Sequence, residues 1–207
     1  MIRINLGAVV ICLLFFVLNG CSSLIYESKV PVQTVLMTIP SEQPDWVKSE
    51  KRTWVDNGVH YSIGYSEDSI DLQSSINTAE SDGKIKLSMQ VESSLIDRFN
   101  KYMGVPEYGV KTKEYVNKYF NELIKGLNIP LQRGETYGEK IKERFEGKKR
   151  VYYRSYIILS LLKNDGDKLL QQVLVDLKEK VKANQSALKL VKSIEQKYLL
   201  SISSPKK

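Results

Sequence analysis

Histidine occurs once in the 207 residues, at His60, and cysteine twice, at Cys12 and Cys21. So few imidazole and thiolate donors cannot build a zinc or transition-metal centre, which needs three or four protein ligands at close spacing. Neither a metal nor a cofactor is expected. A Ser-His-Asp site would have to use His60, yet no Gly-x-Ser-x-Gly elbow occurs. His60 therefore reads as an ordinary strand histidine. A phosphate-cradling loop is missing too, because Gly147-Lys148-Lys149 lacks the required upstream glycine. Internal repeats are absent. Long apolar runs are scarce: Leu6 to Leu18 covers about 13 residues, whereas a bilayer-spanning helix needs roughly 20.

What that short run does is give an address. Met1-Ile2-Arg3 is a positive start, the apolar run follows, and small residues precede a cut site, which together describe an export signal. Leu18-Asn19-Gly20-Cys21 resembles the bacterial lipobox. That resemblance implies a diacylglycerol on the Cys21 thiol, cleavage between Gly20 and Cys21, and acylation of the new amine. Cys12 would leave with the leader, and a lone Cys21 cannot form an internal disulfide. One acyl chain holds weakly and several anchor stably, so the lipid would keep the chain at a membrane without a spanning helix. Ser22 follows the cysteine, where lipoproteins retained in the inner membrane commonly carry Asp. By that analogy the expected location is the bacterial outer membrane. The net charge of +7 suits anionic head groups or envelope polymers. An exported protein does not meet the genome, so nucleic acid is not an expected partner.

Taken in order, residues 1–20 are a cleaved signal and 21–43 a lipidated cysteine with a flexible tether. The tether carries Pro31 and Pro40, which weaken a strand reading of Val35-Leu36-Met37. Trp46 reads as a lid on the core. Residues 54–65 read as a strand pair turning at Asn57-Gly58. Asp68 or Ser66 caps a helix whose face is Leu72, Ile76, Ala79, Gly83 and Leu87, the small residues letting it sit close to a sheet. Val91 to Phe99 fits a helix or a strand, with the strand preferred. Thr112 caps a second helix buried through Val116, Tyr119, Phe120, Leu123 and Leu127. Residues 135–146 fit either a helix or a strand. A strand is expected, paired through a tip at Gly147-Lys148-Lys149 with the Val- and Tyr-rich stretch 150–162. Asn164 to Asp167 caps a long last helix, kinked near Ala183 to Ser186, and 203–207 is a disordered tail.

The fold expected is α+β, a mainly antiparallel sheet of about four strands with helices on one face and a long C-terminal helix. Residues 44–165 form the domain and 166–202 a C-terminal helical segment. The lipobox, Pro44-Asp45-Trp46-Val47, the run Tyr61 to Ser66 leading into the helix with Ala79, and Arg150 to Leu159 together resemble the twenty-kilodalton bacterial envelope lipoprotein family, which includes lipoproteins of the flagellar basal disk. The likeness covers roughly 44–165. It implies a compact domain held at the outer membrane with no established catalytic activity.

Two functions are weighed. The first is a structural or binding lipoprotein without catalysis, whose partners are other envelope proteins, peptidoglycan or lipopolysaccharide. Its candidate surface is Arg150, Tyr152, Tyr153, Arg154 and Tyr156, since Tyr and Arg favour interface centres; the alternative is that alternate tyrosines line the core. The second is a hydrolase of envelope polymers using Glu139 or Glu143 as acid or base, although alternation with Lys140, Lys142 and Arg144 favours a solvated face. The C-terminal stripe of Leu174, Leu177, Val181, Leu188 and Val191, with Asn184 on it, is narrow and leaves two readings open: it packs on the domain's own sheet throughout, or its 188–199 part is a seam that pairs with a second copy in a homo-oligomer.

Overall fold

The computed structural model describes residues 30–203. The signal, Gly20, Cys21 and residues 204–207 of the tail lie outside the described residues. In chain order come β1 (Val32–Ile39), a 3-10 turn (Asp45–Lys48), β2 (Thr53–Asp56), β3 (Val59–Ser69), α1 (Leu72–Met103), α2 (Val110–Lys125), β4 (Gln132–Phe145), β5 (Lys148–Leu161), α3 (Lys163–Val181) and α4 (Gln185–Ser203). The fold is α+β, an open antiparallel sheet in the order β1-β4-β5-β3-β2. By its internal contacts the chain divides into two compact units. The smaller holds, among the described residues, 30–33 and 143–150; the larger holds 34–142 and 151–203.

Both hairpins turn where the backbone is left-handed. Asn57 (φ 49°) and Gly58 (φ 79°) close β2 onto β3, with Asp56 opposite Val59, the two-residue turn that Asn-Gly favours. Glu146 (φ 47°) and Gly147 (φ 75°) do the same between β4 and β5, so the tip begins one residue earlier than the sequence suggests. Residues 32–39, expected in the tether, form β1. Pro31 and Pro40 flank this strand instead of interrupting it, and β1 is an edge strand, where neighbouring prolines are tolerated.

α1 is the largest departure from expectation. It runs 32 residues without a break, so Val91 to Phe99 is helix, not strand. Asp71, not Asp68 or Ser66, is its cap, accepting from the Ser74 N–H at 2.8 Å. Its buried positions are Ser75, Ala79, Gly83, Leu87, Val91, Leu95 and Phe99, each four after the last. Four residues turn a helix about 40° past a full circle, so this stripe winds around α1. Its first half, at Ala79 and Gly83, lies on Gly64 of β3. Its second half turns to the other helices, where the Phe99 and Phe120 rings stack at 3.7 Å.

α2, α3 and α4 complete the helical layer. α2 begins at Val110 with Gly109 as its cap, without help from Thr112. α3 begins at Lys163 with Leu162 at the cap position, so Asp165 and Gly166 sit inside its first turn. The kink expected near Ala183 is a full break: Asn184 Oδ1 accepts from the Ala187 N–H at 3.1 Å and starts α4, the usual work of an Asn cap. Leu174, Leu177, Val181, Leu190, Val191, Ile194 and Tyr198 are all buried in one cluster with Leu87, Phe99, Leu159 and Leu161. Residues 166–202 thus share a hydrophobic core with the sheet. Along α4, Ala187, Leu190, Val191, Ile194 and Tyr198 are buried, Leu188 is half-buried and Leu199 is 43% exposed.

Candidate interaction surface

Alternation along β5 decides which candidate residues can act together. Tyr152, Arg154 and Tyr156 fall on one face and Tyr153 on the other. Tyr153 is half-buried, with Lys140 Nζ 5.7 Å from its ring centroid. Tyr152 and Tyr156 are buried. Arg150 stands in the small unit. The five residues therefore do not form one exposed patch, and Tyr156 lines a core.

That core lies on the sheet face away from α1. Ile63, Tyr137 and Tyr156 are roofed by Val47, with Trp46, Trp54 and Tyr65 around them, and the Trp46 indole donates to Glu135 Oε2 at 2.8 Å. Trp46 thus covers the core, as its position in the sequence implies. Beside it runs a polar chain. Arg154 bonds Glu67 Oε1 at 2.5 Å and lies 3.5 Å from Glu139 Oε2, while the Tyr137 hydroxyl donates to Glu139 Oε1 at 3.1 Å. The Arg52 guanidinium sits 5.9 Å and 5.7 Å from the Tyr65 and Tyr156 ring centroids, within cation–π range. Burial, with the neighbouring Glu139 charge, pushes the Tyr137 phenol up to about 12. Burial and a hydrogen bond to Glu67 raise Tyr65 further. Burial works against the charge on Arg154, but its bond to Glu67 and the surrounding tyrosines outweigh it, and the net shift is upward. The contacts of Arg154 with Glu67 and Glu139, and of Tyr137 with Glu139, join β3, β4 and β5, while Arg52 Nη1 is buried without a hydrogen-bond partner among the described residues.

The small unit has its own arrangement. Glu143 accepts from Arg150 Nε at 2.7 Å and from Gln33 Nε2 at 3.0 Å. Val30, Val32, Arg144, Phe145, Glu146 and Lys149 are among the residues lining a hollow of about 420 Å³.

His60 was expected only as a strand residue, yet it borders an open groove of about 590 Å³ together with Val55, Lys86, Gln90, Asp97 and Arg98. Burial lowers its pKa, and the Arg98 charge adds to that. A strand over 91–99 gives no such groove, since helical spacing alone brings Lys86, Gln90, Asp97 and Arg98 to one side. Among the described residues no cluster of three or more potential metal ligands occurs, and no helix is long and apolar enough to cross a membrane. No protein-family model, curated protein or solved structure matches this chain.

Proposed function

We propose that this chain is a lipid-anchored protein of the bacterial outer membrane whose folded part binds another envelope protein and does not catalyse a reaction. The anchor rests on Leu18-Asn19-Gly20-Cys21 and the apolar run before it. The observation that carries the binding role is β1, an edge strand on which Val35, Leu36, Met37 and Ile39 are each 44–51% exposed. Proteins guard such edges with charge or prolines inside the strand; β1 has neither between Val32 and Ile39. A bare apolar edge suits an extended segment of a partner, which would add as a sixth strand through main-chain hydrogen bonds. The hydrolase reading is weaker because both of its carboxylates are engaged, Glu139 with Tyr137 and Arg154 and Glu143 with Arg150 and Gln33.

A photo-crosslinking residue at Leu36, introduced in intact cells, should capture a discrete envelope protein, while the same residue at Lys111 on α2 should not. No adduct from position 36, or the same adducts from both, counts against the proposal. The anchor is checked separately. Mass spectrometry of the mature N-terminus should show a triacylated Cys21, Cys21→Ala should leave the membrane fraction, and density-gradient fractionation should place the protein with outer-membrane markers.

A further inference from the structure

The β4–β5 hairpin tip lies in the same small unit as Val30, the first described residue, and only nine positions separate Val30 from Cys21. Even fully extended, that span reaches about 30 Å. If Cys21 carries lipid, as proposed above, this tip is held near the bilayer surface. Its composition fits that position. Residues 143–150 carry Arg144, Lys148, Lys149 and Arg150 against Glu143 and Glu146, and Glu143 is bonded to Arg150. Arg144, Lys148 and Lys149 are exposed. Between them lie apolar groups: Val30 is 70% exposed, Val32 62%, and Phe145 is half-buried. The hollow of about 420 Å³ combines these apolar walls with the Arg144 and Lys149 cations and one anion, Glu146.

We infer that this hairpin tip docks onto the anionic head-group layer of the membrane that holds the anchor, with Arg144, Lys148 and Lys149 against lipid phosphates and Val30, Val32 and Phe145 at the acyl boundary. The inference rests on the anchor reading and adds a second contact to it. The acyl chains hold the protein at the bilayer, and a basic patch beside an anchor adds electrostatic attraction to anionic lipid. Each cation near an anionic surface contributes about a fivefold gain in the docked population (from ~1 kcal/mol), so three together give about a hundredfold.

The test uses the mature lipidated protein reconstituted into vesicles of phosphatidylcholine alone and of phosphatidylcholine mixed with phosphatidylglycerol. Amide hydrogen exchange is followed in residues 143–150. Exchange there should slow at least about tenfold on the anionic vesicles only, and the difference should shrink with added salt as the Debye length shortens. The variant Arg144→Ser/Lys148→Ser/Lys149→Ser should lose the difference while exchange at Ile157 and Leu159 stays slow, which shows that the fold is intact. Lys111→Ser/Lys125→Ser/Lys180→Ser, an equal loss of charge elsewhere, should keep it. Equal exchange on both vesicle types overturns the docking. So does slow exchange on neutral vesicles, which would mean that protein and not lipid covers the tip. The acyl mass on Cys21 is read from the same sample: its absence removes the anchor and the docking together, whereas its presence with unprotected hairpin amides removes the docking alone.

Discussion

Gly64 on β3 and Gly83 on α1 meet backbone to backbone, with no side chain between them. A Cβ built on Gly64 would stand 1.9 Å from the Ala79 carbonyl oxygen and 2.7 Å from the Gly83 nitrogen, while one on Gly83 would lie 3.1 Å from Gly64 Cα. The row of β3 beneath α1 is accordingly small: Ser62 and Ser66 flank Gly64, and all three are buried. The aromatic row lies on the opposite face, where Tyr61 stacks on Trp54 and Tyr65 meets Tyr156 at a tilt of 44°.

The two glycines should therefore respond unequally to the same substitution. Gly64→Ala forces the helix off the sheet, because both nearest atoms are backbone and cannot rotate away. A loss of about 3 kcal/mol or more is expected, at the upper end for overpacking. Gly83→Ala meets milder contacts, and alanine regains about 1 kcal/mol of helix propensity, so a net loss of about 1 kcal/mol is expected. Urea midpoints of the two variants check this, and equal midpoints would contradict the geometry.

That close approach was legible in part. Ala79 and Gly83 on one helical face announced a small-residue contact, and Asn57-Gly58 announced its hairpin. The continuation of α1 was also present in the letters: Leu87, Val91, Leu95 and Phe99 keep the spacing of four begun at Ala79. Spacing of four also fits alternate positions of a strand, and so short a stretch cannot separate the two periods. Period two alone already put Tyr153 opposite Tyr152 and Tyr156, but whether either face was covered depended on the segment 45–52, which no local pattern connects to the sheet. The cluster of Arg98, Asp167 and Tyr198 was out of reach for the same reason, since its members are 31 to 100 positions apart.

Raised tyrosines give the protein an alkaline limit. Burial pushes Tyr137 and Tyr198 each up to about 12, against an ordinary value near 10. Above about pH 10 the unfolded chain loses these protons while the folded chain keeps them. The stability they contribute is whole below pH 10 and is lost as the pH rises towards 12. Urea unfolding over this range should show a falling midpoint, with a shallower fall in Tyr137→Phe. An unchanged slope in that variant would show that Tyr137 titrates normally.

His60 sets the opposite limit. Its pKa is lowered by burial and then by the Arg98 charge, so below about 6.5 the unfolded chain takes up a proton that the folded chain resists. Stability is complete above that value and declines as the pH falls through the window down to the folded pKa. Lys86, Asp97 and Arg98 line the same groove. His60→Gln keeps a polar group there and removes the titration, so its stability should vary less between about pH 6.5 and 5. Nuclear magnetic resonance of the single histidine gives the pKa directly, and a value above 6.5 would reverse the expected sign.

The last prediction concerns the join between α4 and the rest of the helical layer. Arg98 on α1 forms an ion pair with Asp167 on α3 and donates to the Tyr198 hydroxyl on α4 at 3.0 Å. That hydroxyl in turn donates to Asp167 Oδ1 at 3.1 Å. The Arg98 guanidinium also lies 5.2 Å from the Tyr198 ring centroid. Three helices are thus tied at one point, and the Tyr198 ring is buried. Tyr198→Phe keeps the ring and its packing but removes the hydroxyl, for an expected loss of about 1–2 kcal/mol. Asp167→Ala leaves Arg98 facing a part-buried site without its counter-charge. Breaking a fully buried pair costs about 3–5 kcal/mol, and the remaining solvent exposure of this one reduces the expected loss to about 2 kcal/mol. Because the two changes act on one network, the double variant should lose less than the sum of the single losses. Strict additivity in that cycle would mean that Tyr198 and Asp167 stabilise the fold separately. Ending the chain after Ala183 removes the whole of α4 and uncovers Leu174, Leu177 and Val181. That shortened chain should bind an apolar dye and lose its cooperative unfolding transition. A well-folded, dye-silent product would show that α4 is dispensable to the core it covers.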